Sequence, residues 1–174
     1  NRTLEAEAAA AGHPHRPIEI GIGLNTGACV VGNMGSDLRF DYSVLGDSVN
    51  IASRLEGLTK SYGVSMLAGE ATVLACGDAI AAIAIDSVRV KGKAEPATIY
   101  AVLGDASMRG TESFARVRAA MDQLRTAYLA RDWDASRAII AEGGAGPLGQ
   151  VFEIYGERIE RAAVAPETAW DGVA

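Results

Sequence analysis

The sequence predicts an α+β or α/β sandwich with a partly antiparallel sheet, followed by a helical appendage, and three observations point to it. Residues 18–25 alternate Ile or Leu with Glu, Gly and Asn, the period of a strand with one face on a core. Residues 48–62 repeat apolar side chains at helical spacing and run into Gly63, a capping glycine. Two apolar runs, 83–90 and 97–103, flank a short polar loop as paired strands do.

In chain order, residues 3–11 (TLEAEAAAA) favour helix by propensity, and Gly12, Pro14 and Pro17 stop it. His13 and His15 are two imidazoles without a third ligand nearby, so 13–16 reads as a solvated linker. In the strand at 18–24 the apolar set should face the core. The glycines opposite leave room for close approach by a backbone or a ligand. A tight turn at 25–27 leads to a second strand at 27–32, a turn cluster at 33–37, and a short extended segment at 40–45.

The helix 48–62 has Asp47 as its expected N-cap and Val49, Ala52, Leu55, Leu58 and Tyr62 as its buried stripe. A strand at 64–67, a short helix at 70–75 and the two strands at 83–90 and 97–103 complete the first unit, residues 1–104. Beyond it, 113–130, 134–141 and 148–163 read as helices, with Phe114, Val117, Met121, Leu124 and Tyr128 on one face. Residues 105–174 are therefore expected to form a small helical appendage; two helices of repeat-like size do not make a solenoid.

A chain of 174 residues fits one domain, or one domain with an appendage, and a 49% hydrophobic content suffices for a core. With 16 Lys and Arg against 22 Asp and Glu, the net charge of -6 argues against nonspecific nucleic-acid binding. It does not oppose a small anion, which needs only a few cations in one place. Cys29 and Cys76 form no metal-like spacing and read as reduced core residues. No apolar run approaches the ~20 residues of a membrane span, so the expected location is the cytoplasm.

The densest polar set is Asp47-Ser-Val-Asn50-Ile-Ala-Ser-Arg54. Asn50 and Arg54 are four apart and share a helix face, while Val49, Ala52 and Leu55 take the packing direction. An amide and a guanidinium so aligned suit a ribose or base edge beside a phosphate, because the guanidinium fork holds two phosphoryl oxygens and stays charged. An ordinary solvent-facing helix gives the same pattern. Lys91 and Lys93, separated by Gly92, place further cations on the loop between the last two strands. A charged surface loop would look alike.

The stretch GIGLNTGACVVGNMGSDLRFDYSVLGDSVNIASRLEGLTKSYG, followed by VRVKGKAEP and Ile99-Tyr100, resembles the class III adenylate/guanylate cyclases, in particular the bacterial adenylate-cyclase type. Three motifs occur in the family's order: NTG…VVGN, YxxxGDxVNxAxR and VKGKxEP. The resemblance covers residues 18–100 nearly without a break. The tail, with RDWDASRAI, a Gly-Pro and Trp170 to Val173, loosely resembles a segment that follows the catalytic domain in bacterial members.

The resemblance implies an α+β, ferredoxin-like cyclase sandwich, incomplete at its N-terminal side. It implies that Asn50 orients the ribose and that Arg54 stabilises charge as the ribose 3'-oxygen attacks the α-phosphate. Lys91 matches the triphosphate lysine, with Lys93 as its neighbour. Ser43 falls at the base-selecting position, where a hydroxyl suits an adenine edge. The reaction would convert ATP to 3',5'-cyclic AMP and pyrophosphate on two Mg or Mn ions, at the interface of a homodimer.

The family's metal-binding aspartates, and its base-reading lysine, lie upstream of the strand at Ile18. Asp37, Asp41 and Asp47 do not match the metal positions. The fragment alone is therefore expected to be inactive, with the metals supplied by the missing half and an upstream sensor or membrane segment possible in the parent. A noncatalytic cyclase-like regulatory or interaction module, and a guanylate cyclase, are the alternatives.

Overall fold

Residues 22–24, 66–69, 97–105 and 80–88 lie side by side, in that spatial order, in one four-stranded sheet. The structure is a computed structural model that describes residues 2–14, 17–36, 39–89, 96–144, 146–164 and 172–173. His15, Asp37, Lys91, Lys93 and Trp170, each singled out from the sequence, lie outside the described residues.

The strands of the sheet are β1 (Ile22–Leu24), β4 (Met66–Gly69), β5 (Ile80–Val88) and β6 (Ala97–Asp105). β1 runs parallel to β4, with Ile22 opposite Met66, and β4 and β5 both run antiparallel to β6. β2 (Val30–Ser36) and β3 (Arg39–Leu45) form a separate antiparallel hairpin, Val30 opposite Leu45. The helices are α1 (Arg2–Ala10), α2 (Asp47–Tyr62), α3 (Glu70–Cys76), the single turn α4 (Ala106–Arg109), α5 (Glu112–Leu129), α6 (Trp133–Gly143) and α7 (Gly149–Val164). This is the α+β sandwich expected from the sequence.

The first strand corrects the reading of its pattern. Ile18 and Ile20 are 61% and 72% exposed, and Ile22 and Leu24 also face outward. It is the glycine face that packs. A Cβ on Gly23 would lie 2.0 Å from the Ala52 carbonyl oxygen and 2.4 Å from the Glu56 nitrogen, and one on Gly21 would lie 2.2 Å from Thr59 Oγ1. The alternation was real, but helix α2 approaches the side that has no side chains, because only there can two backbones come so close.

The expected turn at 33–37 is strand as far as Ser36, because Asn33 to Ser36 find partners Tyr42 to Arg39 across the hairpin. Paired backbone groups outweigh the turn preference of Asn, Gly and Ser. Gly46, not Asp47, is the N-cap of α2: its φ is 156°, and its carbonyl accepts from the Val49 and Asn50 amides at 3.1 Å each. Asp47 sits inside the first turn, where its charge still complements the helix dipole. At the other end Gly63 takes the left-handed conformation (φ 63°). Its amide bonds to Lys60 O and the next, Val64, to Thr59 O, closing a Schellman motif.

The core is one cluster, and residues on both sides of position 104 build it. Leu55, Leu67, Ile83, Ile85 and Ile99 share it with Phe114, Met121, Leu124, Phe152, Tyr155 and Ile159. The apolar face foreseen on α5 is buried at Phe114, Met121, Leu124 and Tyr128. Thr111 caps α5 by accepting from the Phe114 amide at 3.1 Å, and Asp132 caps α6 through the Ala135 amide at 3.0 Å. Among the described residues no helix is long and apolar enough to cross a membrane.

Candidate functional site

Helix α2 buries Leu55, Thr59 and Tyr62 against the sheet, which turns Asn50 and Arg54 outward on the exposed side. Arg54 lines a cleft of about 650 Å³ between α2, the turn after β1, the first turn of α3 and the ends of β5 and β6. No described residue pairs with its guanidinium. Asn50, one turn nearer the helix start, is exposed but is not part of the cleft wall. Ser43 is exposed on β3, opposite Gly32, and also lies off the wall. The structure thus brings Arg54 to the cleft, keeps Asn50 on the same helix, and leaves Ser43 on the hairpin that feeds α2.

Lys91 and Lys93 lie outside the described residues, but the strand ends that bracket them are on the cleft. Val88 and Arg89 before them, and Ala97 and Thr98 after them, line the same wall as Arg54. The described charged groups on the wall are Arg54 and Arg89 with Asp47 and Glu70. Beside it, burial and then the Glu70 carboxylate raise the Tyr100 phenol above its ordinary pKa. The lower wall is apolar, formed by Ile51, Leu55, Leu58 and Ile99. A cleft with an apolar floor and convergent polar groups at its rim is the usual form of a small-molecule site.

The turn after β1 is tied to the start of α2. Asn25 Nδ2 donates to Ser48 O at 3.2 Å, and the hydroxyls of Thr26 and Thr72 are 3.0 Å apart. The glycines let these side chains come close: a Cβ on Gly27 would meet Ser48 Oγ at 1.9 Å, and one on Gly69 would meet Asn25 Oδ1 at 2.3 Å, so each side chain would have to turn away. Sequence reasoning saw a tight turn at 25–27 and missed the positioning role of Asn25. The partner is 23 residues away, beyond any local periodicity.

A second group also escaped that reading. Asp86 is fully buried on β5; its Oδ2 accepts from the Tyr62 hydroxyl at 2.5 Å and its Oδ1 from the Ser87 amide at 2.8 Å. Arg158 of α7 completes it: Nη1 lies 2.7 Å from Asp86 Oδ2, a Coulombic contact without hydrogen-bond angles, and Nη2 donates to Tyr62 Oη at 3.4 Å. Burial, then the Asp86 carboxylate, push the Tyr62 phenol far above its ordinary value. The available signal was one acid inside the apolar run IAAIAIDSV, and an arginine among the buried positions of α7. Among the described residues, no three His, Cys, Asp or Glu side chains gather as a metal site.

The chain is similar to several known proteins. Over 88 residues the chain is 48% identical to "Adenylate cyclase" of Anabaena cylindrica, a match covering 49% of this chain and 18% of that protein. Over 82 residues it is 43% identical to "Adenylate cyclase 1" of Rhizobium meliloti (strain 1021), covering 47% and 12%. The chain therefore spans less than a fifth of the length of either relative. Among solved structures, the adenylyl cyclase CyaB from P. aeruginosa matches at 35% identity and a TM-score of 0.48, over 59% of this chain and 51% of that one. The family model described as "Adenylate and Guanylate cyclase catalytic domain" matches residues 3–104, more than half of the chain, and the chain accordingly belongs to the adenylate and guanylate cyclase catalytic domain family.

Proposed function

We propose that this chain supplies the nucleotide-handling side chains of an adenylate cyclase active site, within a longer protein and at the interface of a homodimer. The observation that supports it best is Arg54: an exposed guanidinium, unpaired by any described residue, on a cleft that is also lined by Val88, Arg89, Ala97 and Thr98, which flank Lys91 and Lys93 in sequence. Names of the relatives favour ATP over GTP as substrate, and the use of ATP would place the chemistry in the cytoplasm.

In this reading the ribose 3'-oxygen attacks the α-phosphorus as the bridging bond to the β-phosphate breaks. Pyrophosphate leaves with the electron pair, and the 3'-hydroxyl proton is lost. Arg54 donates two hydrogen bonds to the α-phosphoryl oxygens, where negative charge builds up, so its contribution grows toward the transition state. Asn50 holds the ribose through its amide, and Ser43 takes the adenine edge. Lys91 and Lys93 neutralise the β- and γ-phosphates as point charges. Two Mg or Mn ions would supply further neutralisation of the triphosphate and a lower pKa for the attacking hydroxyl; among the described residues no three His, Cys, Asp or Glu side chains gather to hold one.

The test is turnover of the full-length protein with Arg54→Ala. A fall of about 10²–10³ in kcat, with the fold unchanged, is expected for loss of one preorganised charge-stabilising donor. Unaltered cyclic AMP production would overturn the reading and leave a noncatalytic module.

A further inference from the structure

The helical segment that follows the last strand is bound to α2 at two points, and both are at the same end of that helix. Gln150, in the first turn of α7, donates from Nε2 to Lys60 O at 3.3 Å and to Ser61 O at 2.7 Å. These are carbonyls of the last turn of α2, where the helix itself supplies no donors; Lys60 O also accepts from the capping Gly63 amide. Gly63 makes room for this approach, since a Cβ there would stand 2.4 Å from Gln150 Oε1 and 2.8 Å from its Cβ. Two turns further along α7, Arg158 reaches Tyr62, the final residue of α2, and the Asp86 carboxylate that Tyr62 also holds.

We propose that α7 is a strut for α2, with Gln150 and Arg158 as positioning residues that set how Arg54 is presented to the cleft. The three buried side chains of α2 are Leu55, Thr59 and Tyr62, all in its second half, so that half fixes the helix on the sheet. The first half is held by the Asn25 bond to Ser48 O and by the Gly46 cap. Arg54 lies between these anchors, eight residues or ~12 Å of helix rise from Tyr62. Tyr62 and Arg54 line the same cleft. A helix moves as a rigid rod over this length, so freeing its C-terminal end lets it pivot about the N-terminal one and shifts Arg54 with it. Arg158 suits this role better than a lysine would, because its fork spans Asp86 Oδ2 and Tyr62 Oη at once.

The link to turnover rests on the nucleotide-site reading above; the link between α7 and α2 does not. Amide hydrogen exchange of the 174-residue chain therefore decides the mechanical half by itself. Gln150→Ala should speed exchange at residues 59–64 by about 3- to 10-fold while β4 and α5 stay within about twofold. Arg158→Met should extend the effect to residues 54–58, and Arg158→Lys should fall between it and the parent. Arg137→Met, which cuts the exposed pairs with Glu160 and Asp134 and touches nothing on α2, should leave α2 unaltered. Gln150 is exposed, so its variant reports even if Arg158→Met does not fold. Unchanged exchange in α2, or an acceleration spread evenly over all elements, would overturn the strut.

In the full-length protein, Gln150→Ala and Arg158→Lys should lower kcat with KM for ATP nearly constant, as expected for a misplaced transition-state contact. If Arg54→Ala abolishes turnover while both variants keep the parental kcat, the functional half is overturned. If the parent makes no cyclic nucleotide at all, the nucleotide-site reading fails and the exchange data still decide the strut.

Discussion

The hydroxyl of Tyr62 donates to Asp86 Oδ2 at 2.5 Å, and Arg158 Nη1 stands 2.7 Å from the same oxygen. One carboxylate, with no exposed surface, thus ties the end of α2 to strand β5 and helix α7. Its charge is compensated by the guanidinium, and the remaining oxygen by the Ser87 amide. The Tyr155 hydroxyl adds a bond to the neighbouring Ile85 carbonyl at 3.0 Å, and its ring packs edge-on to Tyr128 with centroids 4.8 Å apart.

Removing that carboxylate strands a buried guanidinium. Asp86→Ala should cost about 3–5 kcal/mol of unfolding free energy, while Tyr62→Phe, which deletes one charge-assisted hydrogen bond, should cost about 2 kcal/mol. Urea denaturation followed by circular dichroism measures both, and near-equal losses would contradict the network.

Alkali should weaken the fold. The Tyr62 phenol is raised by burial and by Asp86, and Tyr155 is raised by burial and then by Asp86. A group whose pKa is higher folded than unfolded contributes stability that is complete below its unfolded value and is lost as pH rises beyond it. That places the loss above about pH 10. Melting temperature should hold between about pH 8 and pH 9.5 and then fall, and Tyr62→Phe should flatten the fall in part.

Two glycines should respond oppositely to alanine. A Cβ at Gly23 collides with the α2 backbone, so Gly23→Ala should destabilise by at least about 1–3 kcal/mol. Gly156, in α7, has open space around it, so Gly156→Ala should stabilise by about 0.5–1 kcal/mol through helix propensity. Equilibrium unfolding of the pair provides the comparison.

Arg54 and Asn50 are exposed, and no described residue holds either side chain in a hydrogen bond or ion pair. Arg54→Ala and Asn50→Ala should therefore alter stability by no more than about 0.5 kcal/mol. Thermal melts of the chain, set beside turnover of the full-length protein, separate a functional role from a structural one.

The element order, the αL closure at Gly63, the buried face of α5 and the outward direction of Asn50 and Arg54 were all legible in the sequence. Each is a local matter of propensity, periodicity or a glycine at a fixed offset. The facing of 18–24 was not, since alternation gives two faces without saying which one a helix will meet. The turn expected at 33–37 failed because pairing across a hairpin outweighs local preference.

What the sequence determined by itself was the family, through three ordered motifs, and which side chains to propose for a polyphosphate site. Only the tertiary structure decided that Arg54 shares a cleft wall with the strand ends around Lys91 and Lys93. It alone joined Asp86 to Arg158 and Gln150 to the end of α2. Those contacts unite residues 72 to 90 positions apart. Pattern within a segment fixes which face is apolar, but distances between segments follow from how the faces pack, and no periodicity encodes them.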